Sequence, residues 1–99
     1  MFVMELTYTA PIEDVEDLMD AHVAWLDGHY AGGVFLASGR KVPRDGGVIL
    51  AGGVSRSEIE KIAAGDPFAV AGVCAYRITE FLATKTSSDL ATVRENPAT

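Results

Sequence analysis

Apolar and polar residues alternate along the first segment of the chain. Every second side chain between residues 2 and 9 is apolar, at positions Phe2, Met4, Leu6 and Tyr8. Alternation with a period of two is typical of a strand that buries one face. The same pattern returns between residues 73 and 83, where Cys74, Tyr76, Ile78 and Leu82 share one face. The pattern therefore predicts a first and a last strand at the two ends of one folded region.

A helical period follows the first strand. From about residue 13 to residue 31 the apolar positions recur at spacings of three and four, at Val15, Leu18, Met19, Leu26 and Tyr30. This spacing is typical of an amphipathic helix, and His22 falls in the same apolar stripe. Acidic residues crowd the first turns, where the helix dipole favours negative charge. We therefore predict one helix that ends at Gly32-Gly33 and presents His22 on its apolar face.

The middle of the chain predicts a hairpin and a second helix. Two short apolar segments, Val34–Ser38 and Val48–Ala51, are separated by a turn-forming stretch over residues 40–47. Ser55 and Glu58 then have the spacing of a capping box, which predicts a helix that runs to about residue 64. A short helical turn is expected after Asp66-Pro67.

The predicted order β-α-β-β-α-β is that of the ferredoxin-like α+β fold, with an antiparallel sheet and both helices on one face. The other face would carry the apolar side chains Val3, Val73, Ala75 and Phe81. A small domain rarely leaves such a surface in water, so we expect a homodimer that covers it. We assign residues 1–84 to the folded domain and residues 85–99 to a polar C-terminal tail.

Composition excludes several classes of protein. The chain has 99 residues and a formal net charge of −6, and its eight Lys and Arg residues are scattered. This argues against binding to nucleic acid or to an anionic membrane surface, since both need concentrated positive charge. The single cysteine, Cys74, cannot form an internal disulfide. With no apparent signal peptide and no membrane-spanning apolar stretch, we expect a cytoplasmic protein.

The residues that could perform chemistry are few. His22 and His29 are two helical turns apart, about 10 Å, and cannot share one metal ion, so no metal site is predicted. The glycine pairs lack the context of a phosphate or dinucleotide motif, and no cofactor is predicted. Taken alone, His22 is interpreted as a core histidine and Asp66 as a helix N-cap.

The arrangement of several short motifs resembles the YCII-related family over about residues 1–82. The motifs are His22 on the first helix, Gly33 and Gly39 around Val34–Ser38, and Asp66-Pro67-Phe68 followed by Gly72. The resemblance implies a dimeric α+β barrel whose catalytic residues are His22 and Asp66. Family members often have proline after the second glycine, whereas this chain has Arg40. We expect Arg40 and Ser38 to contact the substrate, with Arg40 favouring an anion.

The resemblance also suggests a class of reaction. Family members with known chemistry act on small, often aromatic molecules, and one reaction is the removal of chloride from a chlorinated hydroxyquinol. An imidazole paired with a carboxylate suits proton transfer, which favours a lyase, isomerase or dehydrochlorinase-like enzyme. A non-catalytic dimeric module that binds a small molecule, or an accessory subunit, is the alternative. The sequence does not choose between them.

Overall fold

Four strands form one sheet in the computed structural model, which describes residues 1–96. They are β1 (Phe2–Tyr8), β2 (Phe35–Arg40), β3 (Gly46–Ala51) and β4 (Cys74–Glu80). Their spatial order is β2-β3-β1-β4, and every neighbouring pair is antiparallel. This is the ferredoxin-like arrangement that the order of elements predicted.

The first predicted helix is divided in two in the structure, whereas the second ends at Ala64 as predicted. The helices are α1 (Ile12–Glu16), α2 (Met19–Ala31), α3 (Arg56–Ala64) and α4 (Pro67–Val70), and a 3-10 helix spans Ser88–Val93. The prediction of one continuous first helix is wrong at Asp17 and Leu18. The backbone of Leu18 is not helical, with φ −104° and ψ 2°. The preceding helix α1 carries acidic side chains up to its last residue, Glu16. Negative charge at the C-terminal end of a helix is unfavourable. The sequence-based prediction considered these acidic residues only as a favourable feature of the helix N-terminus.

The core lies between the sheet and the helices. One face of β1 is buried, and it carries Phe2, Met4 and Leu6. The neighbouring strands contribute Ile49, Ala51 and Phe35, and the helices contribute Val15, Ile59, Ala63 and Phe68. The predicted buried face of the first strand is therefore confirmed.

The opposite face of the sheet differs from the predicted one at Val73. Val73 precedes β4 and is buried in the core, and Phe81 follows β4. Gly72, with φ +73°, turns the chain just before Val73, which explains why the period-two pattern does not extend that far. By strand register this face instead carries Val3, Glu5, Thr7, Val48, Leu50, Ala75, Arg77 and Thr79.

The β2–β3 hairpin has a shorter turn than predicted, because Arg40, Gly46 and Gly47 belong to the strands. A Cβ atom at Gly46 would lie 1.9 Å from the carbonyl oxygen of Leu6, so only glycine allows β3 to approach β1 there. Ser38 pairs with the buried Ile49, and Arg40 pairs with Gly47. Both side chains of β2 therefore lie on the helix side of the sheet.

The segment after β4 returns to the beginning of the chain. The Glu95 carboxylate accepts hydrogen bonds from the Met1 amine at 2.7 and 2.8 Å and from the Ala83 amide at 2.8 Å. These contacts, first the amide and then the amine, lower the pKa of Glu95. Residues 97–99 of the predicted tail lie outside the described residues, and the division at residue 84 stays a prediction. Among residues 1–96 no helix is long and apolar enough to cross a membrane.

Candidate active site

Asp66 is held at the start of α4. Its Oδ1 atom accepts a hydrogen bond from the Phe68 amide at 2.9 Å, so Asp66 is the N-cap of this helix. Pro67 occupies the first helical position, where the missing amide hydrogen has no cost. The structural interpretation of Asp66 as a cap is therefore correct, but it accounts for only one of the hydrogen bonds that this carboxylate accepts.

His22 meets the same carboxylate from α2. The distance between His22 Nδ1 and Asp66 Oδ1 is 2.8 Å, although 44 positions separate the two residues. His22 is 8% exposed and Asp66 is fully buried. The Phe68 ring stacks on the imidazole with a centroid distance of 4.0 Å and an interplanar angle of 7°. The two residues that the resemblance assigned to one site therefore lie within hydrogen-bond reach of each other.

The contact with Asp66 determines which nitrogen of His22 carries the proton. A carboxylate oxygen that already accepts an amide hydrogen acts as an acceptor, so we assign the proton of the neutral ring to Nδ1. Among residues 1–96 no group forms a hydrogen bond with Nε2. His22 also lines a cavity. The unshared electron pair of Nε2 is therefore available to a bound molecule.

Tyr76 is a third partner of the carboxylate, although the alternation in the sequence predicted only a place on the apolar face of the last strand. Its hydroxyl donates a hydrogen bond to Asp66 Oδ2 at 2.5 Å. Burial, and then this hydrogen bond and the charge of Asp66, raise the pKa of Tyr76. A tyrosine on a buried strand face usually has a polar partner for its hydroxyl, which is the one indication that the sequence offered.

Cys74 lies on the same face of β4 as Tyr76, and it behaves as the small core residue that the sequence suggested. Burial, and to a lesser extent the charge of Asp66, raise its pKa from 9.0 to about 11. The thiol is therefore protonated at neutral pH, and it lacks the thiolate form that a cysteine nucleophile needs.

A cavity of about 300 Å³ opens in front of His22, between α2 and the β2–β3 hairpin. Its polar lining comprises His22, Ser38, Arg40 and Arg44. Apolar side chains form much of the remaining wall, including Leu6, Tyr8, Met19, Val23, Leu26, Ile49 and Phe68. Three of the predicted site residues thus share one cavity, and Asp66 lies behind the imidazole. Arg44, which lies within the turn predicted over residues 40–47, was not among the predicted site residues.

His29 does not join the site. Its ring packs against Trp25 and Phe35 at centroid distances of 5.3 and 5.0 Å. Within residues 1–96 no group of three or more His, Cys, Asp or Glu side chains could hold a metal ion.

Comparison with known proteins identifies relatives of this fold. The family model of the YCII-related domain matches residues 1–82. No curated protein matches the chain. Among solved structures, the chain is similar to 5-chloro-2-hydroxyhydroquinone dehydrochlorinase from Burkholderia phenoliruptrix AC1100 in complex with 2,5-dihydroxybenzoquinone. The TM-score is 0.69 and the identity 19%, over 90% of this chain and 98% of that chain. At this identity the likeness shows the fold.

Replacing Asp66 by serine tests how the imidazole is oriented. Serine keeps a capping oxygen for α4 but cannot reach His22 or Tyr76. We expect the neutral His22 ring to lose its fixed Nδ1–H tautomer, measured by the ¹⁵N chemical shifts of both ring nitrogens. Stability should fall by roughly 1.5–3 kcal/mol for each lost hydrogen bond to the carboxylate. His29 is the internal control, and an unchanged His22 tautomer in Asp66→Ser would contradict the assignment.

The raised pKa values of Cys74 and Tyr76 predict that the protein loses stability at alkaline pH. Between pH 9.0 and about 11 the unfolded chain has released the Cys74 proton while the folded chain retains it. Because the unfolded state then binds fewer protons, the free energy of unfolding falls as pH rises, by at most about 1.4 kcal/mol per pH unit per group.

Tyr76 extends this loss above pH 10.0, because its pKa is raised from that value. Urea unfolding across this range should show a smaller decline in Tyr76→Phe and in Cys74→Ala than in the native chain. A decline of equal slope in all three proteins would show that neither group is responsible.

Proposed function

Because this chain belongs to the YCII-related domain family, we propose that it is a small-molecule enzyme in which the His22–Asp66 pair transfers a proton. The observation that carries the proposal is the buried 2.8 Å contact between His22 and Asp66, with the other ring nitrogen free beside a cavity. The reaction class we infer is that of a lyase or isomerase. The dehydrochlorinase activity named for the structural neighbour is one reaction of this class.

In the proposed step, His22 Nε2 accepts a proton from a carbon or oxygen atom of the bound molecule. The imidazolium that forms is stabilised by Asp66 through Nδ1–H. In an elimination, the electron pair of the broken C–H bond forms the new double bond, and the leaving group departs with its own bonding pair. In an isomerisation, Nε2 returns the proton to a different atom. Both use a base that works near neutral pH.

The neighbouring residues have distinct proposed roles. Tyr76 and the Phe68 amide position the carboxylate, since both donate hydrogen bonds to it. The Phe68 ring, stacked on the imidazole, limits its rotation. Ser38 and Arg40 lie on the opposite wall of the cavity and contact the substrate in this proposal.

Hydrogen exchange in deuterated water tests the proposed proton transfer without knowledge of the net reaction. Small phenols, lactones and carboxylates that raise the melting temperature are incubated with the protein, and loss of their C–H resonances is followed by NMR. We expect exchange to slow by about 10²–10⁴-fold in His22→Gln, the usual contribution of a general base. His29→Gln is the matched control and should exchange at the native rate.

Two outcomes would contradict the enzyme proposal. One is exchange that persists unchanged in His22→Gln. The other is binding of these compounds with no exchange by the native protein, which would favour the alternative of a non-catalytic binding module.

We also propose that two copies pair through the sheet face opposite the helices. That face carries Val3, Val48, Leu50 and Ala75, and Val48 is 37% exposed in the single chain. The polar residues Glu5 and Arg77 are paired across adjacent strands of the same face, so the surface mixes apolar and charged groups. Such a surface suits a two-fold symmetric dimer, in which the same patch of each copy contacts that of the other and each contact occurs twice.

Sedimentation tests the proposed dimer. We expect twice the chain mass of 10.5 kDa for the native protein. Val48→Glu should shift the equilibrium to the monomer, because it buries an unpaired carboxylate at the interface. Val70→Glu is the control, since Val70 is 75% exposed and lies on α4, on the helix side. A native monomer at micromolar concentration would overturn the proposal.

A further inference from the structure

The charges that line the cavity have the opposite sign to the charge of the chain. The sequence contains 14 acidic and eight basic residues, yet the lining includes Arg40 and Arg44 and no Asp or Glu. Asp66 lies behind the imidazole and is fully buried. A wall of this composition raises the local concentration of anions, because charged clefts focus the electrostatic field.

Of the two guanidinium groups, that of Arg40 is the more available to a ligand. Within residues 1–96 it forms no ion pair and no hydrogen bond, although basic neighbours do find partners. The adjacent Lys41 approaches Glu5 at 3.6 Å and Asp45 at 3.4 Å. Arg40 lies on the helix side of β2 and is exposed, so it stands at the outer part of the cavity while His22 lies deeper.

Arg44 has a partner that a ligand could replace. The distance from Arg44 Nη1 to Glu16 Oε1 is 3.7 Å, and the glutamate side chain is 58% exposed. An exposed pair at that distance contributes little to stability, because solvent screens it. Loss of the Glu16 contact when Arg44 binds a ligand would therefore cost little.

Ser38 supplies a neutral donor to the same wall. The Tyr30 hydroxyl donates a hydrogen bond to Ser38 Oγ at 2.6 Å. The hydrogen of Ser38 must then point away from Tyr30, and Ser38 lines the cavity two residues before Arg40. The opposite side of the cavity is apolar through residues such as Met19 and Leu26. The cavity thus combines an oxyanion-binding rim with a small apolar interior.

We infer that the cavity binds a small organic carboxylate, with its carboxylate group held by Arg40 and Arg44 and its apolar body directed toward His22. The planar fork of a guanidinium matches a carboxylate through two parallel hydrogen bonds. A volume of about 300 Å³ is at the lower end for ligand pockets and fits a compact molecule. The inference names the substrate class of the proposed enzyme and rests on that function only for the reacting end of the molecule.

Benzoate and benzamide are matched probes of this site, since they differ mainly in charge. Titrations followed by amide resonances of Ser38 and His22 should give benzoate an affinity at least about 10-fold higher than benzamide. Arg40→Ala should weaken benzoate binding by about 10–100-fold, the usual value of a charge-assisted hydrogen bond, and leave benzamide unaffected. Arg44→Ala should have a smaller effect in the same direction. Arg56→Ala, an arginine of α3 outside the cavity, is the control and should bind both probes like the native protein.

The results separate this inference from the proposed enzyme function. Equal affinity for benzamide and benzoate, or native benzoate affinity in Arg40→Ala, overturns the carboxylate site and leaves proton exchange by His22 unaffected. Inorganic phosphate that binds as tightly as benzoate overturns the stated ligand class, because the apolar interior would then contribute nothing. Selective benzoate binding that persists in His22→Gln supports the inference, even where no exchange reaction is detected.

Discussion

The buried carboxylate of Asp66 is the constraint on which the rest of this structure depends. An ionised carboxylate without partners would cost several kcal/mol in the interior. Its donors are the His22 ring on α2, the Phe68 amide on α4 and the Tyr76 hydroxyl on β4. Three elements from distant parts of the chain must therefore reach their correct positions together. The same contacts that make Asp66 tolerable in the core also orient the imidazole, so the site and the fold share one requirement.

The cavity in front of His22 follows from the glycines of β3. Gly46 is required because β3 approaches the backbone of β1, and Gly47 beside it places no side chain beneath α2. The neighbouring position Ile49 fills the core, so space remains only toward the hairpin turn. The register that leaves this space also places Ser38 and Arg40 along it. The absence of a side chain at Gly47 and the register of β2 thus account for space on the helix side of the hairpin and for the side chains that border it.

Local patterns predicted most of the fold, whereas the partnerships within the candidate site depend on contacts distant in sequence. Alternation identified β1, and Ser55 caps α3 through the Glu58 amide as the capping box predicted. Both depend on neighbours within a few residues. The partnership of Tyr76 with Asp66 depends on strand register and on where α4 begins, which no local spacing reveals. His22 and Asp66 were paired through a family resemblance; taken alone, each residue suggested a structural role.

The charged groups of the site follow one another in space from the core to the solvent. Asp66 lies deepest, the His22 ring separates it from the cavity, and Arg40 and Arg44 line the cavity. In the proposed reaction, an imidazolium would form between a fixed carboxylate and a bound anion, and both would stabilise it. The arginines would meanwhile offset the repulsion between that anion and a chain of net charge −6. This order lets an acidic protein keep the buried Asp66 carboxylate beside the base and still admit a negatively charged molecule.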